Sequence, residues 1–217
     1  MSFLDQLNPE QREAVLHRDG PLLILAGAGS GKTRVICCRL AYLIGDGHAE
    51  PDQVLAVTFT NKAAEEMRNR VQSLLTRNSG APLLCTFHSF GVRVLRQHAD
   101  RIGYRRDFTI CDREDQLRVL KTVYEELHFA DKELPVRQTL AAISRAKSRD
   151  WGPEEYGRHS KDYSSEQIGL AYSAYENFLK QSNAMDFDDL ILLTVRLLKE
   201  NPEVRQGYGE HYRYLLI

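Results

Sequence analysis

The run Ala26-Gly27-Ala28-Gly29-Ser30-Gly31-Lys32-Thr33 separates an apolar stretch at residues 22–26 from a segment in which Val35, Ile36, Leu40 and Leu43 recur at helical spacing. Five aliphatic residues are too few for a buried helix and suit a buried strand, and glycines supply the turn from strand to helix. The same pattern comes twice more. Residues 55–59 precede Ala64, Met67, Val71 and Leu74, and residues 83–87 precede Val92, Leu95, Ala99 and Ile102. Strand and helix alternating three times predict parallel strands joined by crossover helices, hence an α/β fold with a parallel sheet.

From Asp112 onward the alternation stops. Leu117, Leu120, Val123, Tyr124 and Leu127, then Ala171, Tyr175, Phe178 and Leu179, keep helical spacing alone. Residues 112–185 therefore read as a helical subdomain, with loops or short helices between 145 and 165 around Trp151-Gly152-Pro153, where Trp151 reads as a loop anchor. A helix begins near Asp186, runs through Leu190, Leu193 and Leu197, and ends at Asn201-Pro202. Residues 214–217 look like one more buried strand, in which the sequence stops, and this predicts a truncated chain.

With 42% hydrophobic and 27% charged residues among 217, the chain can bury a core without disulfides. Cys37, Cys38, Cys85 and Cys111 lack C-x-x-C spacing and read as free thiols. No apolar run approaches the roughly 20 residues that cross a bilayer. The N-terminus lacks a secretory pattern, which predicts a cytoplasmic protein with no membrane partner. The net charge of −1 conceals an uneven distribution. Lys62, Arg68, Arg70, Arg77, Arg93, Arg96, Arg101, Arg105 and Arg106 outnumber Glu65, Glu66 and Asp100 between residues 58 and 106, a local excess that suits a polyanion.

The chemistry follows from the same segments. Glycines let successive N–H groups of residues 27–31 point at phosphate oxygens, and the helix N-terminus adds its dipole. Lys32 then supplies a charge to β- and γ-phosphates and the Thr33 hydroxyl a ligand for Mg²⁺. Ala26 stands where the strict pattern has glycine. Asn8, Pro9 and Gln11 form a helix-starting capping box, sufficient by itself to explain them. Thr58-Phe59-Thr60-Asn61-Lys62 and Thr86-Phe87-His88-Ser89-Phe90 each close a strand and open a helix on the side where such sheets bind ligands. Aromatic rings there suit base stacking or, as the simpler alternative, the core. Asp186, Asp188 and Asp189 suit a first helical turn and are assigned no metal. Arg145, Lys147 and Arg149 read as a solvated face that duplex DNA is able to meet.

Taken together, these segments resemble the UvrD/Rep/PcrA group of superfamily 1 DNA helicases. The match is collinear: Gln11 with the Q motif, residues 26–33 with motif I, 58–67 with motif Ia, 86–90 with motif Ib, and Asp186-Phe187-Asp188-Asp189-Leu190 with a further signature. The resemblance implies a RecA-like P-loop motor domain (1A) formed by residues 1–111 and 186–217, interrupted by an all-helical subdomain (1B) at 112–185 and cut before the Walker B acidic pair. It implies ATP and Mg²⁺ as cofactors and 3′-to-5′ movement on single-stranded DNA in repair or replication. Single-strand/duplex junctions and DNA-repair proteins are the implied partners. Lys32 and Thr33 would be catalytic, with Thr33 on the metal. Gly27, Ala28, Gly29, Ser30 and Gly31 would cradle phosphates, Gln11 would read adenine and Arg34 would pack on the base. Phe59, Thr60, Asn61, Lys62, Thr86, Phe87, His88 and Ser89 would touch DNA. The acidic pair and the second motor domain with its arginines are missing, so the 217 residues alone are expected not to hydrolyse ATP. A helicase-nuclease subunit and a non-enzymatic DNA- or partner-binding P-loop module are the competing readings.

Overall fold

A computed structural model describes residues 2–75, 80–130, 132, 134–159 and 162–217. In chain order its elements are α1 (Pro9–Leu16), α2 (Lys32–Gly45), β1 (Val54–Thr58), α3 (Asn61–Leu74), β2 (Leu83–Thr86), α4 (Phe87–His98), β3 (Thr109–Cys111), α5 (Arg113–Leu127), α6 (Val136–Lys147), α7 (Pro153–His159), α8 (Tyr163–Gln181), β4 (Ala184–Asp186), α9 (Phe187–Glu200), α10 (Pro202–His211) and β5 (Tyr214–Leu216). They form two compact units. One comprises the chain up to Phe90 with Pro202–Ile217, the other Gly91–Asn201.

The first unit is built on a parallel sheet of order β2-β1-β5, with Thr58 opposite Thr86 and Val54 opposite Tyr214. Val54, Leu55, Ala56 and Val57 are all buried, as a central parallel strand covered on both faces requires. Cys37, Leu40, Leu43 and Ile44 of α2 pack with Met67 and Val71 of α3 and with the sheet residues Val54, Ala56, Leu84 and Leu216. Val35, Cys38, Ala41 and Tyr42 instead pack with Val15 of α1 and with Phe3. Both long sides of α2 are thus covered. Cys37, Cys38 and Cys111 are buried and none of the four cysteines forms a disulfide; burial pushes the Cys37 thiol up to about 11.

One expected strand is absent. Residues 22–26 have no ladder hydrogen bonds, and Leu23 and Leu25 are exposed. A strand needs a neighbouring edge, and β5 pairs with β1 through only three residues. Its other side borders a cleft of about 430 Å³ shared by Pro21, Leu22 and Ile24 with Tyr214, Leu215 and Ile217.

The second unit is helical around a two-stranded support that the sequence does not signal. Strands β3 and β4 pair in parallel, Thr109 opposite Ala184 and Cys111 opposite Asp186, so this unit is not all-helical. Each strand leads straight into a capped helix: Asp112 accepts from the N–H groups of Glu114 and Asp115, and Asp186 from that of Asp189. The pairing draws residues 109–111 and 184–186 into this unit, so its limits differ from a division at 112 and 185. Leu120, Val123, Tyr124, Leu140, Ile143, Tyr172, Tyr175 and Leu179 fill the core. Gly91 allows a close approach of backbones, since a Cβ there would lie 2.5 Å from the Leu190 carbonyl oxygen.

Lys147 belongs to no solvated face. Its side chain is wholly buried, and Nζ lies 2.7 Å from Glu176, 2.8 Å from Asp186 and 2.7 Å from Asp189. The Tyr175 hydroxyl donates to Asp186 at 3.0 Å. Burial opposes the lysine's charge, but the carboxylates outweigh it and raise its pKa well above the usual value. Burial likewise opposes ionisation of Asp186, yet Lys147 and the hydrogen bonds it accepts hold its pKa below the ordinary range. At Asp189, burial and the negative neighbours Asp186 and Glu176 prevail over Lys147 and push the carboxyl up to about 7.

Two outcomes are expected. Lys147→Ala leaves buried carboxylates without their cation and should destabilise the unit by about 3–5 kcal/mol in denaturant titrations. Because the folded Asp189 holds its proton up to about 7 while an unfolded one releases it near 3.8, the Asp189 contribution should decline as pH rises between those values. Asp189→Asn should flatten the slope of stability against pH in that window; an unchanged slope would place the titration elsewhere.

Candidate functional site

The glycine-rich loop leads into α2 as the sequence predicts, but from residues 22–26, which form no strand. Gly29 has φ 76° and Gly31 φ 88°, both left-handed, and Gly31 caps α2 with no side chain, leaving the first N–H groups of the helix without a side-chain acceptor. Residues 26–30, Lys32 and Thr33 are exposed. Lys32 Nζ folds back over the loop and donates to the carbonyls of Ala26 at 2.9 Å and Gly27 at 2.7 Å. Ser30 Oγ also donates to the Gly27 carbonyl, at 2.7 Å. The ammonium thus sits beside a helix N-terminus, held only by carbonyl dipoles. An anion offers it a stronger, charge-assisted partner.

Gln11 joins this loop from α1. Its side-chain carbonyl completes the capping box by accepting from Asn8 N–H at 3.3 Å, while Asn8 accepts from Gln11 N–H at 2.8 Å. Its Nε2 donates to the Ser30 carbonyl at 3.0 Å. The capping reading and contact with the loop therefore coexist in one side chain. Arg34, in the first turn of α2, donates to the backbone carbonyl of Gln6 at 3.1 Å and to its Oε1 at 3.2 Å. Nothing in the sequence singles out Gln6, which lies before the capping box in a short 3-10 turn at Ser2–Gln6.

Strand pairing brings the second set of residues together. Phe59 and Phe87 each follow a residue of the Thr58–Thr86 pair, and their rings lie 5.4 Å apart at 48°. Phe59 is 81% exposed, which argues against a core role. Asn61, Lys62, His88 and Ser89 are exposed around it. Thr60 accepts from Ala63 N–H and so caps α3. Thr86 is buried, its hydroxyl accepting from Ser89 N–H at 3.1 Å and bonded to Ser89 Oγ at 2.9 Å, so it starts α4 rather than facing solvent. Phe90 packs edge-on with Tyr208 and Tyr212.

The basic excess is divided. Lys62, Arg68 and Arg70 belong to the first unit, and Arg93, Arg96, Arg101, Arg105 and Arg106 to the second; Arg77 lies outside the described residues. Several are spent locally. Arg68 donates to the Leu84 carbonyl, Arg96 lies 3.9 Å from the Phe108 ring centroid, and Arg105 and Arg106 pair with Asp107 and Asp100. Among the described residues no group of three His, Cys, Asp or Glu side chains could hold a metal ion.

One α/β unit thus carries both a glycine loop at a helix N-terminus and aromatic rings at the ends of neighbouring parallel strands. Residues 7–217 match the model of the UvrD/REP helicase N-terminal domain, and the chain belongs to that family. It is similar to the ATP-dependent DNA helicase PcrA of Staphylococcus aureus, 44% identical over 214 residues, and to that of Bacillus subtilis, 44% identical over 213. The PcrA protein of Staphylococcus epidermidis is 42% identical over 214 residues. These alignments cover 98–99% of this chain but 29% of each relative, so the chain spans less than a third of their length.

Gly31→Ala tests the loop geometry. A Cβ at φ 88° is strained and would lie 3.1 Å from Gln11 Nε2. The variant should lose about 1–2 kcal/mol of stability and bind triphosphate more weakly in a titration; wild-type behaviour in both would contradict the geometry described.

Proposed function

We propose that this chain is the ATP-binding part of an ATP-dependent DNA helicase that moves 3′ to 5′ on single-stranded DNA. In this reading the first unit is a RecA-like motor domain (1A) and the second an inserted subdomain (1B). The observation that carries it is the presence, in one unit, of Lys32 and Thr33 at the open end of α2 and of the Phe59–Phe87 pair at the ends of β1 and β2. The names of the PcrA relatives support the same activity.

Phosphate oxygens would take the loop N–H groups of residues 27–31, and Lys32 would exchange the Ala26 and Gly27 carbonyls for β- and γ-phosphate oxygens. Thr33 would help to hold Mg²⁺, which would supply positive charge to offset that of the phosphates. Gln11 and Arg34 would meet adenine. Phe59, with Phe87 beside it, would stack a base, and Asn61, Lys62, His88 and Ser89 would meet the backbone around it. In this reading the 217 residues by themselves would bind nucleotide without turning it over. Single-strand/duplex junctions and DNA-repair proteins are the partners this reading implies, in the cytoplasm; no helix among the described residues is long and apolar enough to cross a membrane.

In the whole protein Lys32→Ala should abolish ATP turnover and unwinding while single-stranded DNA binding without nucleotide persists. Turnover near wild type would remove the assignment. Phe59→Ala should weaken single-strand binding by about 1–3 kcal/mol, whereas Lys62→Ala should instead flatten its dependence on salt.

A further inference from the structure

We propose that Arg39 is a positioning residue for nucleobase recognition: by gripping the end of α1 it fixes Gln11 against the nucleotide loop. The inference rests on the reading that Gln11 meets the base. Arg39 lies in the middle of α2 and is 9% exposed. Its Nη1 donates to the carbonyls of Ala14 at 3.0 Å and Val15 at 3.4 Å, and to that of His17. These are the last carbonyls of α1 and its cap region, the acceptors a helix leaves unsatisfied and the negative end of its dipole. A buried guanidinium is costly to hold there, and burial lowers its pKa. Its charge is met by this helix end through the N–H groups of the one nitrogen Nη1, shared among three carbonyls.

The eight residues of α1 run beside only part of the fourteen of α2. The eight residues of α1 rise about 12 Å, the same distance that separates Gly31 from Arg39 along α2. The start of α1 is tied to the start of α2 by Gln11 and the Ser30 carbonyl, and its end by Arg39. Between these grips only Val15 of α1 is buried, and residues 17–31 form no helix or strand that could hold the end from the other side. A two-turn helix is marginal by itself and depends on such contacts for its placement. Gln11 has one amide N–H on Ser30 and one lone pair on Asn8, leaving capacity for one donor and one acceptor contact to a base edge, provided that α1 does not pivot.

The test compares binding of ATP with that of inorganic tripolyphosphate, which has no base, in the whole protein. Arg39→Met should weaken ATP about tenfold while tripolyphosphate changes by less than about twofold. Arg39→Lys, expected to fall between, carries the same comparison if the methionine variant does not fold. The double variant Gln11→Ala/Arg39→Met should bind ATP no more weakly than Gln11→Ala alone, because both changes remove one contact. Equal losses for ATP and tripolyphosphate, or additive losses in the double variant, would overturn the proposal. If Gln11→Ala weakens ATP and Arg39→Met does not, the positioning role fails and the base reading stands. If Gln11→Ala leaves the ratio of the two affinities unchanged, the base reading itself fails and the proposal with it.

Discussion

The register between β1 and β2 is the constraint on which the candidate DNA surface depends. Side chains alternate along a strand, so a slip of one residue would turn Phe59 toward the other face and bring a different residue level with Phe87. Leu55 opposite Leu83, and each following pair to Thr58 opposite Thr86, make both strands finish together. The Thr60 and Thr86 hydroxyls then start α3 and α4 at once. The rings are left side by side between the ends of two strands and two helix N-termini, with Phe59 facing solvent. Such exposure of a large aromatic side chain gains nothing for folding, which is the physical reason to look for a ligand there.

In the second unit a different interaction sets the arrangement. One ammonium from α6 meets carboxylates from α8, from the end of β4 and from the first turn of α9. Replacing a buried ion pair with apolar groups is often neutral or stabilising, so its presence is weak grounds for inferring added stability. Its geometry, however, is demanding. Asp186 must accept from Lys147, from Tyr175 and from the Asp189 backbone at the same time. Meeting all of them at once couples the placements of α6, α8 and α9. The surplus negative charge explains why Asp186 and Asp189, three residues apart on one capping box, are shifted in opposite directions.

Local signals carried much of this into the sequence. Asn8, Pro9 and Gln11 announce the start of α1, Gly31 the turn into α2, and Asn201-Pro202 the end of α9, because caps and breakers act over four residues and need no tertiary context. What depends on distant partners was hidden. Residues 22–26 have the composition of a buried strand but no ladder to join. Strands β3 and β4 are three residues each, too short for periodicity to mark. Lys147 was misread by its charge, although it lies seven residues beyond Leu140 and four beyond Ile143, on the face of α6 that carries the core. Arg39 and Gln6 offer no pattern, since Arg39 grips backbone carbonyls and Gln6 meets Arg34 partly through its own.

The same distinction bears on how the nucleotide site would work. With both sides covered and residues 40–44 all buried, α2 cannot shift without opening one packing layer or the other. Its N-terminus is therefore a fixed point from which Lys32, Thr33 and the first N–H groups project. The loop before it is the reverse case: exposed, rich in glycine and closed mainly by the Lys32 ammonium on two carbonyls. Binding a triphosphate there would exchange those neutral acceptors for charged ones without moving the helix. The energy gained would thus go into ordering the loop around the phosphates, against a frame that the sheet and α1 already hold in place.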